Sequence, residues 1–526
     1  MKWNAWGDPA AAKPLSAGIL TLLQQALGVD DTPVPAVRLE DVRLRPSTLS
    51  AADRTALKAI VGEPNVADDD AARLLRAGGK STPDLLRRKD SDPQDAPDAV
   101  VTPGSDDEIA EVLRYCSQQR IAVVPFGGGT SVVGGLDPDR GEFGAVISLD
   151  LRRFDQLLTL DEISGEAVLG AGLTGPEAER LLGERGFSLG HFPQSFEFVT
   201  IGGSVATRSS GQNSAGYGRI DDMVRGLRMI TPAGVLDAGR APASAAGPDL
   251  RQLLLGSEGV FGVITQVRLR VHPVPATTRY EAWSFPDFET GAGAVRAVAQ
   301  TGTGPTVIRL SDEAETGVNL ATTEHIGEQQ ITGGCLAITV FEGTADHTES
   351  RHTETHAVLA AHGGTSLGEA PARDWQHGRY AAPYLRDALL AAGALCETLE
   401  TATDWSNIGA LKAAVTAALT ESLAASGTAA LVLCHISHVY PTGASLYFTV
   451  VAAQRGNPIE QWRTAKAAAC DAIVAAGGTI THHHAVGADH RPWLADEIGE
   501  LGVQVLRAVK QTLDPAGILN PGKLIP

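Results

Sequence analysis

The chain is 526 residues long, 43% hydrophobic and 20% charged, and 43 Lys plus Arg against 62 Asp plus Glu leave a net charge of −19 at pH 7. That length outgrows a single hydrophobic core, so two or more domains are expected. The negative balance excludes general attraction to nucleic acid or anionic lipid and leaves only a local basic pocket for a phosphate.

The five cysteines, Cys116, Cys335, Cys396, Cys434 and Cys470, form no CxxC pair and read as reduced core thiols. Residues 1–9 lack an apolar signal region, no uninterrupted run of roughly 18 apolar residues follows, and Lys523-Leu524-Ile525-Pro526 is not a Ser-Lys-Leu address. A cytoplasmic protein without a membrane span is the expectation. Peripheral membrane contact and homodimerisation stay open.

Residues 1–95 read as an N-terminal helical segment, with Ser16 capping an amphipathic helix to Leu27 and a second helix over 68–77. The Asp- and Pro-rich stretch 80–96 reads as an exposed connection. Residues 96–275 form the first large domain: a strand at 99–101, a helix entered through a capping box of Ser105 and Glu108, and a buried strand at 121–125. Strands at 144–150 and 166–170, a helix at 174–184, a hairpin over 229–237 and a strand at 264–271 complete it. Residues 276–460 read as an α+β domain with an antiparallel sheet, including strands at 335–342, 431–437 and 445–451 and helices at 288–300 and 346–361. A C-terminal segment, 461–526, follows with helices at 457–475 and 502–513 and is expected to complete the active site.

The strand at 121–125 runs into Gly127-Gly128-Gly129-Thr130-Ser131, which places unhindered N–H groups and two hydroxyls at a turn. Such a nest suits pyrophosphate oxygens, with a plain tight loop as the competing reading. No GxGxxG opens a helix after a strand, and Gly78-Gly79-Lys80-Ser81 lacks the earlier glycine of a Walker A loop because position 74 is Leu74. A second cluster, Gly190-His191-Phe192-Pro193-Gln194-Ser195 and then Thr200 to Gly211, is so rich in small and hydroxyl residues that its backbone must lie against something large. A flat ring with a ribityl chain fits that need. A third cluster, Gly256 to Ile264, turns tightly and feeds a strand.

These three motifs, in this order, resemble the vanillyl-alcohol-oxidase superfamily of FAD enzymes. The resemblance implies an α+β fold: a two-lobed FAD-binding domain, an α+β substrate or cap domain and helical terminal segments. It implies FAD held by Pro125, Gly127, Gly128, Gly129, Thr130, Ser131, Pro193, Gln194, Ser195, Thr200, Gly203, Ser204, Ala206, Thr207, Ser209, Gly211, Glu258, Val260, Gly262 and Ile264. No histidine stands beside 127–131, which argues for non-covalent FAD and leaves His191 as the remaining attachment candidate.

Lys2-Trp3-Asn4-Ala5-Trp6-Gly7, Ile308-Arg309-Leu310, Tyr384-Leu385-Arg386-Asp387, Ser437-His438-Val439-Tyr440, Tyr447-Phe448 and His482-His483-His484 extend the resemblance to the alkyldihydroxyacetonephosphate synthase family. That family exchanges the acyl group of acyl-dihydroxyacetonephosphate for a long-chain alcohol in ether-lipid synthesis, without net oxidation. The resemblance implies Arg386 at the substrate phosphate, Arg309 as a second functional arginine, Tyr447 near the reacting carbon, and His483 and His484 near flavin and substrate. A phosphorylated ketone ester and a fatty alcohol are the expected substrates, with the tail channel built by 276–460. The alternative is an FAD-dependent 2-hydroxyacid dehydrogenase or oxidase of the D-lactate or glycolate type, with Arg386 holding a carboxylate.

Bottom-up, arginine offers a phosphate a bidentate, charge-assisted fork. Neutral imidazole accepts an acidic proton, and a phenol transfers one beside a stabilising cation or imidazole. Successive residues of an extended loop alternate in direction, so at most two of His482, His483 and His484 face one ligand. No metal is expected. His352 and His356 have i,i+4 spacing with Glu349 on the same face, but the polar run 346–356 reads as a solvated helix face.

Overall fold

Apolar runs without polar alternation make Ala99–Val101, Ile121–Phe126 and Ala145–Asp150 strands buried on both sides, and they pair in parallel in the computed structural model, which describes residues 1–30, 37–89, 93–318 and 334–526. Val66–Ala67 adds an antiparallel edge to this first lobe. The helix Asp106–Gln119 covers the sheet with Ile109, Val112, Leu113 and Cys116, one stripe at helical spacing. Ser105 Oγ accepts from Glu108 N, but the Glu108 carboxylate turns to Gly104 N, so the expected capping box is displaced by one residue. Asp98 is fully buried at the sheet edge, where its carboxylate accepts from Thr48 N at 2.7 Å and Val146 N at 2.8 Å.

The second lobe is a five-stranded antiparallel sheet ordered Leu157–Asp161, Glu166–Gly170, Val263–Arg270, Val224–Thr231, Gly234–Ala238. The cap carries a seven-stranded antiparallel sheet ordered Thr365–Gly368, Thr277–Phe285, Cys335–Gly343, Val307–Ser311, Ala430–Val439, Gly443–Ala453, Ala394–Asp404. Its two faces separate by the period-two rule. Cys434, Ile436, Leu446, Phe448 and Val450 enter the cap core, while Leu433, His435, Ser437, Tyr447 and Thr449 point into a cavity shared with the FAD lobes.

Helices Phe288–Thr301, Ala345–Ala361, Ile408–Ala425 and Pro458–Ala475 contribute to that core. The stretch Trp405–Ala425 is long and apolar enough to cross a membrane, and four of its residues, Leu411, Val415, Leu419 and Leu423, are fully buried in the cap core.

Three further expectations change. Residues 80–86 are buried, not an exposed connection: Ser81 caps the helix Thr82–Arg87, Thr82 N donates to buried Glu397, and Leu85 and Leu86 join the cap core. Its charges misled because they are paired internally, Asp84 with Arg87 at 2.7 Å. The last helix begins at Leu494, passes a break at Gly499 (φ +75°) and ends at Leu513. The C-terminal segment is shared among three cores: Trp462 and Ile473 pack in the cap, Ile480, Leu494 and Leu524 in the second lobe, Ile518 and Leu519 in the first.

Asp98→Ala strands the buried Val146 N–H and removes the acceptor of the more exposed Thr48 N–H, and is expected to lower the unfolding free energy by about 2 kcal/mol. Denaturant titration checks this.

Candidate active site

The glycine loop after Ile121–Phe126 and the segment leading into the helix Ile201–Ala206 meet at one wall of the cavity. A Cβ on Gly128 would overlap the Phe198 carbonyl oxygen, and one on Gly127 the Thr200 hydroxyl. These two glycines therefore serve first to bring the loops together. Thr200 caps the helix, accepting from Gly203 N at 3.2 Å.

Pro125, Gly127, Gly128, Gly129, Thr130, Ser131, Pro193, Gln194, Ser195, Thr200, Gly203, Ala206, Thr207, Ser209, Gly211, Glu258, Gly262 and Ile264 all line the cavity. Ser204 and Val260 do not. Ser204 is buried within its helix and Val260 packs in the second-lobe core. His191 also lies off the cavity wall, buried with Nε2 3.3 Å from Ser209 Oγ. Gln194 Nε2 and Ser210 Oγ, on cavity-lining residues, are buried without a partner in the protein, as expected where a polar ligand completes the bonding.

Glu258 belongs to the flavin motif and also staples the site shut. Its carboxylate accepts from Val486 N at 2.9 Å and Gly487 N at 2.7 Å, directly after the histidine triplet. Burial pushes its pKa up to about 7, against the pull of these two amides.

On the cap side, Arg309, His435, Tyr447 and His483 form a column. Arg309 pairs with buried Glu315 and lies 3.1 Å from His435 Nδ1, while Glu315 Oε2 is 2.8 Å from the same nitrogen. Since that nitrogen faces a carboxylate, we place its proton there. His435 stacks on Tyr447 at 5.0 Å, and Tyr447 on His483 at 6.0 Å. Burial raises the Tyr447 phenol to about 12, with the Thr398 hydroxyl pulling it down.

The triplet is organised by Glu400, a residue that sequence reading missed. It stands opposite Tyr447 on the neighbouring strand. Its fully buried carboxylate accepts from the backbone N–H groups of His482, His483 (3.1 Å) and His484 (2.8 Å) and from Thr481 Oγ1 (2.6 Å). Burial opposes its charge, but the three histidines and Thr481 outweigh it and hold the carboxyl well below its usual range. His483 and His484 face the cavity, whereas His482 turns away to meet the Tyr440 hydroxyl at 2.6 Å. Burial pushes His483 down to about 3 and His484 to about 4, with Glu400 pulling both up, so both imidazoles are neutral at pH 7. His438, also unselected from sequence, reaches across to the Gly211 carbonyl at 2.8 Å and joins cap to FAD lobe.

Arg386 is buried at the cavity edge. Nη1 donates to the Lys80 carbonyl at 2.6 Å, and Nε and Nη2 to Asp387. Asp387 also accepts from Trp6 N, and Lys80 Nζ donates to the Lys2 carbonyl at 2.6 Å, so the N-terminal strap closes over this corner and Trp6 lines the cavity. Arg379 supplies another cation there, bonded to the amide oxygens of Asn213 and Gln376.

A family described as FAD binding domain matches residues 97–238, and one described as FAD linked oxidases, C-terminal domain, matches 274–524. Proteins named alkyldihydroxyacetonephosphate synthase from Dictyostelium discoideum and Trypanosoma brucei brucei are each 32% identical over 100% of this chain, covering 93% and 92% of their own lengths. The chain belongs to the alkyldihydroxyacetonephosphate synthase family. A solved structure of that name superposes with a TM-score of 0.83 at 30% identity, over 100% of this chain and 99% of the other.

As a member of this family the chain binds FAD, and the glycine and hydroxyl residues named above form one wall of the cavity. His191 does not reach that wall.

Glu400 stabilises the fold above its ordinary pKa of 4.5, and this contribution is lost as pH falls below that value. Glu400→Gln is therefore expected to cost about 3 kcal/mol at pH 7. Thermal melts from pH 7 to about 3 should show its deficit against the parent shrinking as Glu400 of the unfolded parent chain takes up its proton while the folded carboxylate stays ionised.

Proposed function

We propose that this chain exchanges the acyl group of an acyl-dihydroxyacetonephosphate for a long-chain alcohol. The observation carrying this reading is that one cavity, walled by the glycine and hydroxyl segments, joins a buried arginine, two neutral imidazoles and a protonated phenol in a chain matching the synthase relatives end to end.

Arg386, with Arg379 near the same corner, would bind the substrate phosphate and fix the ketone-bearing carbon beneath the cap. Leu385, Leu389, Leu433 and Val451 on the cavity wall offer the acyl or alkyl tail an apolar surface. His483 or His484 accepts the proton from the carbon bearing the ester; Glu400 beneath them stabilises the imidazolium so formed. Tyr447, protonated at neutral pH, donates to the oxygen of the departing carboxylate. The alcohol then adds to that carbon, its proton restores the Tyr447 phenol, and the imidazolium returns the first proton to the carbon. Acid and alkyl ether are formed with no net oxidation. Bound FAD supplies the isoalloxazine ring against which that carbon reacts.

Arg386→Ala is expected to raise KM for the phosphorylated ketone about 100-fold, with Arg386→Lys recovering part of the loss. The reaction should release fatty acid and incorporate labelled alcohol without lasting flavin reduction under anaerobic conditions. Lasting bleaching by D-lactate or glycolate, with no alcohol incorporation, would overturn the transferase in favour of a 2-hydroxyacid dehydrogenase.

Burial of His483 and His484 has a pH consequence as well. Their ionisation lies below about pH 5, so kcat/KM should be flat in these groups from about pH 5 to 8. An acid limb centred near 6.5 that vanishes in His483→Gln would show instead that this imidazole is solvated.

A further inference from the structure

On the sheet face opposite the cavity, the helix Ala345–Ala361 lays His352 and His356 against Glu281 of the strand Thr277–Phe285. The helical pair alone suggested Glu349 as a third ligand. The fold gives Glu349 to Arg279 and brings in Glu281, 75 residues from His356 in sequence, a partner that only strand-to-helix packing can supply.

We propose that Glu281, His352 and His356 form a binding site for a divalent transition metal of the zinc class. One ligand atom from each of the three residues lies within 4.8 Å of the others. His352 Nε2 is 3.0 Å from Glu281 Oε2, and His356 Nδ1 is 3.0 Å from Oε1. Zinc bonds of about 2.0–2.2 Å place tetrahedral ligands about 3.4 Å apart, so small side-chain shifts admit the ion.

The surroundings hold these groups in place. Ser366 Oγ donates to Glu281 Oε1 at 2.6 Å, a second-layer bond of the kind that orients a ligating carboxylate. His352 stands edge-on to Phe341 at 5.4 Å and His356 edge-on to Trp283 at 4.9 Å, which limits rotation of both rings. Glu281 is mostly buried while the His356 side chain is 48% exposed, so the ion is reached from solvent and keeps a fourth position for water. Two imidazoles and one carboxylate form the ligand set, and the ion clamps the helix to the sheet.

The test uses flavin-loaded protein stripped with a chelator and titrated with Zn²⁺ by calorimetry, with bound metal counted by elemental analysis. One equivalent is expected, together with a higher melting temperature. The double variant His352→Gln/His356→Gln should lose that equivalent while keeping its flavin spectrum, and Ser366→Ala should weaken binding about 10-fold. Co²⁺ should give absorption bands of four-coordinate geometry in the parent and not in the double variant. Absence of zinc binding at micromolar metal, or one equivalent that persists in the double variant, overturns the site; persistence would assign the ion to His438, His482 and His483 in the active site. Neither outcome depends on which reaction the cavity performs.

Discussion

A single buried carboxylate, Glu400, sets the geometry on which the catalytic reading rests. Three consecutive backbone N–H groups and a hydroxyl converge on it, so the loop 481–484 has one arrangement in which its donors are satisfied. That arrangement turns His483 and His484 inward and His482 outward. Taking the anion away would leave several buried donors without an acceptor, a cost comparable with a large part of a domain's net stability.

Around this anchor the protein meets two opposite needs. The cavity must accept phosphate and a charged cofactor, yet its bases must stay neutral at pH 7. Period-two strands solve the spatial part by sending Tyr447 and His435 to the cavity and Phe448 and Cys434 to the core. Burial solves the chemical part by depressing His483 and His484, while the cations near Arg386 collect at the other end of the space. Internal pairing with Asp387 lets Arg386 remain charged where burial alone would disfavour it.

Local patterns made much of the fold legible. Ile121–Phe126 and its glycine loop, the capped helix Asp106–Gln119, and the strands carrying Arg309 and Tyr447 all follow from apolar runs, caps and turn residues within a few positions of one another. What was missed has a common cause. Glu400, His435 and His438 sit in ordinary strand sequence, and their importance comes from neighbours far along the chain. Residues 80–86 looked exposed because their charges count as polar in composition, although the fold pairs them internally.

The amino-acid sequence by itself determined that three small-residue segments would hold a flat, phosphate-bearing cofactor, because only glycine and short hydroxyl residues allow backbones to approach so closely. Tertiary structure decided which of those residues line the cavity and which, like Ser204 and Val260, are buried away from it. It also decided that Glu400 lies beneath the histidines and Glu281 beside His352. Each of these is a contact between segments remote in sequence, specified by the register of strands and the packing of helices on them, and no local spacing encodes it.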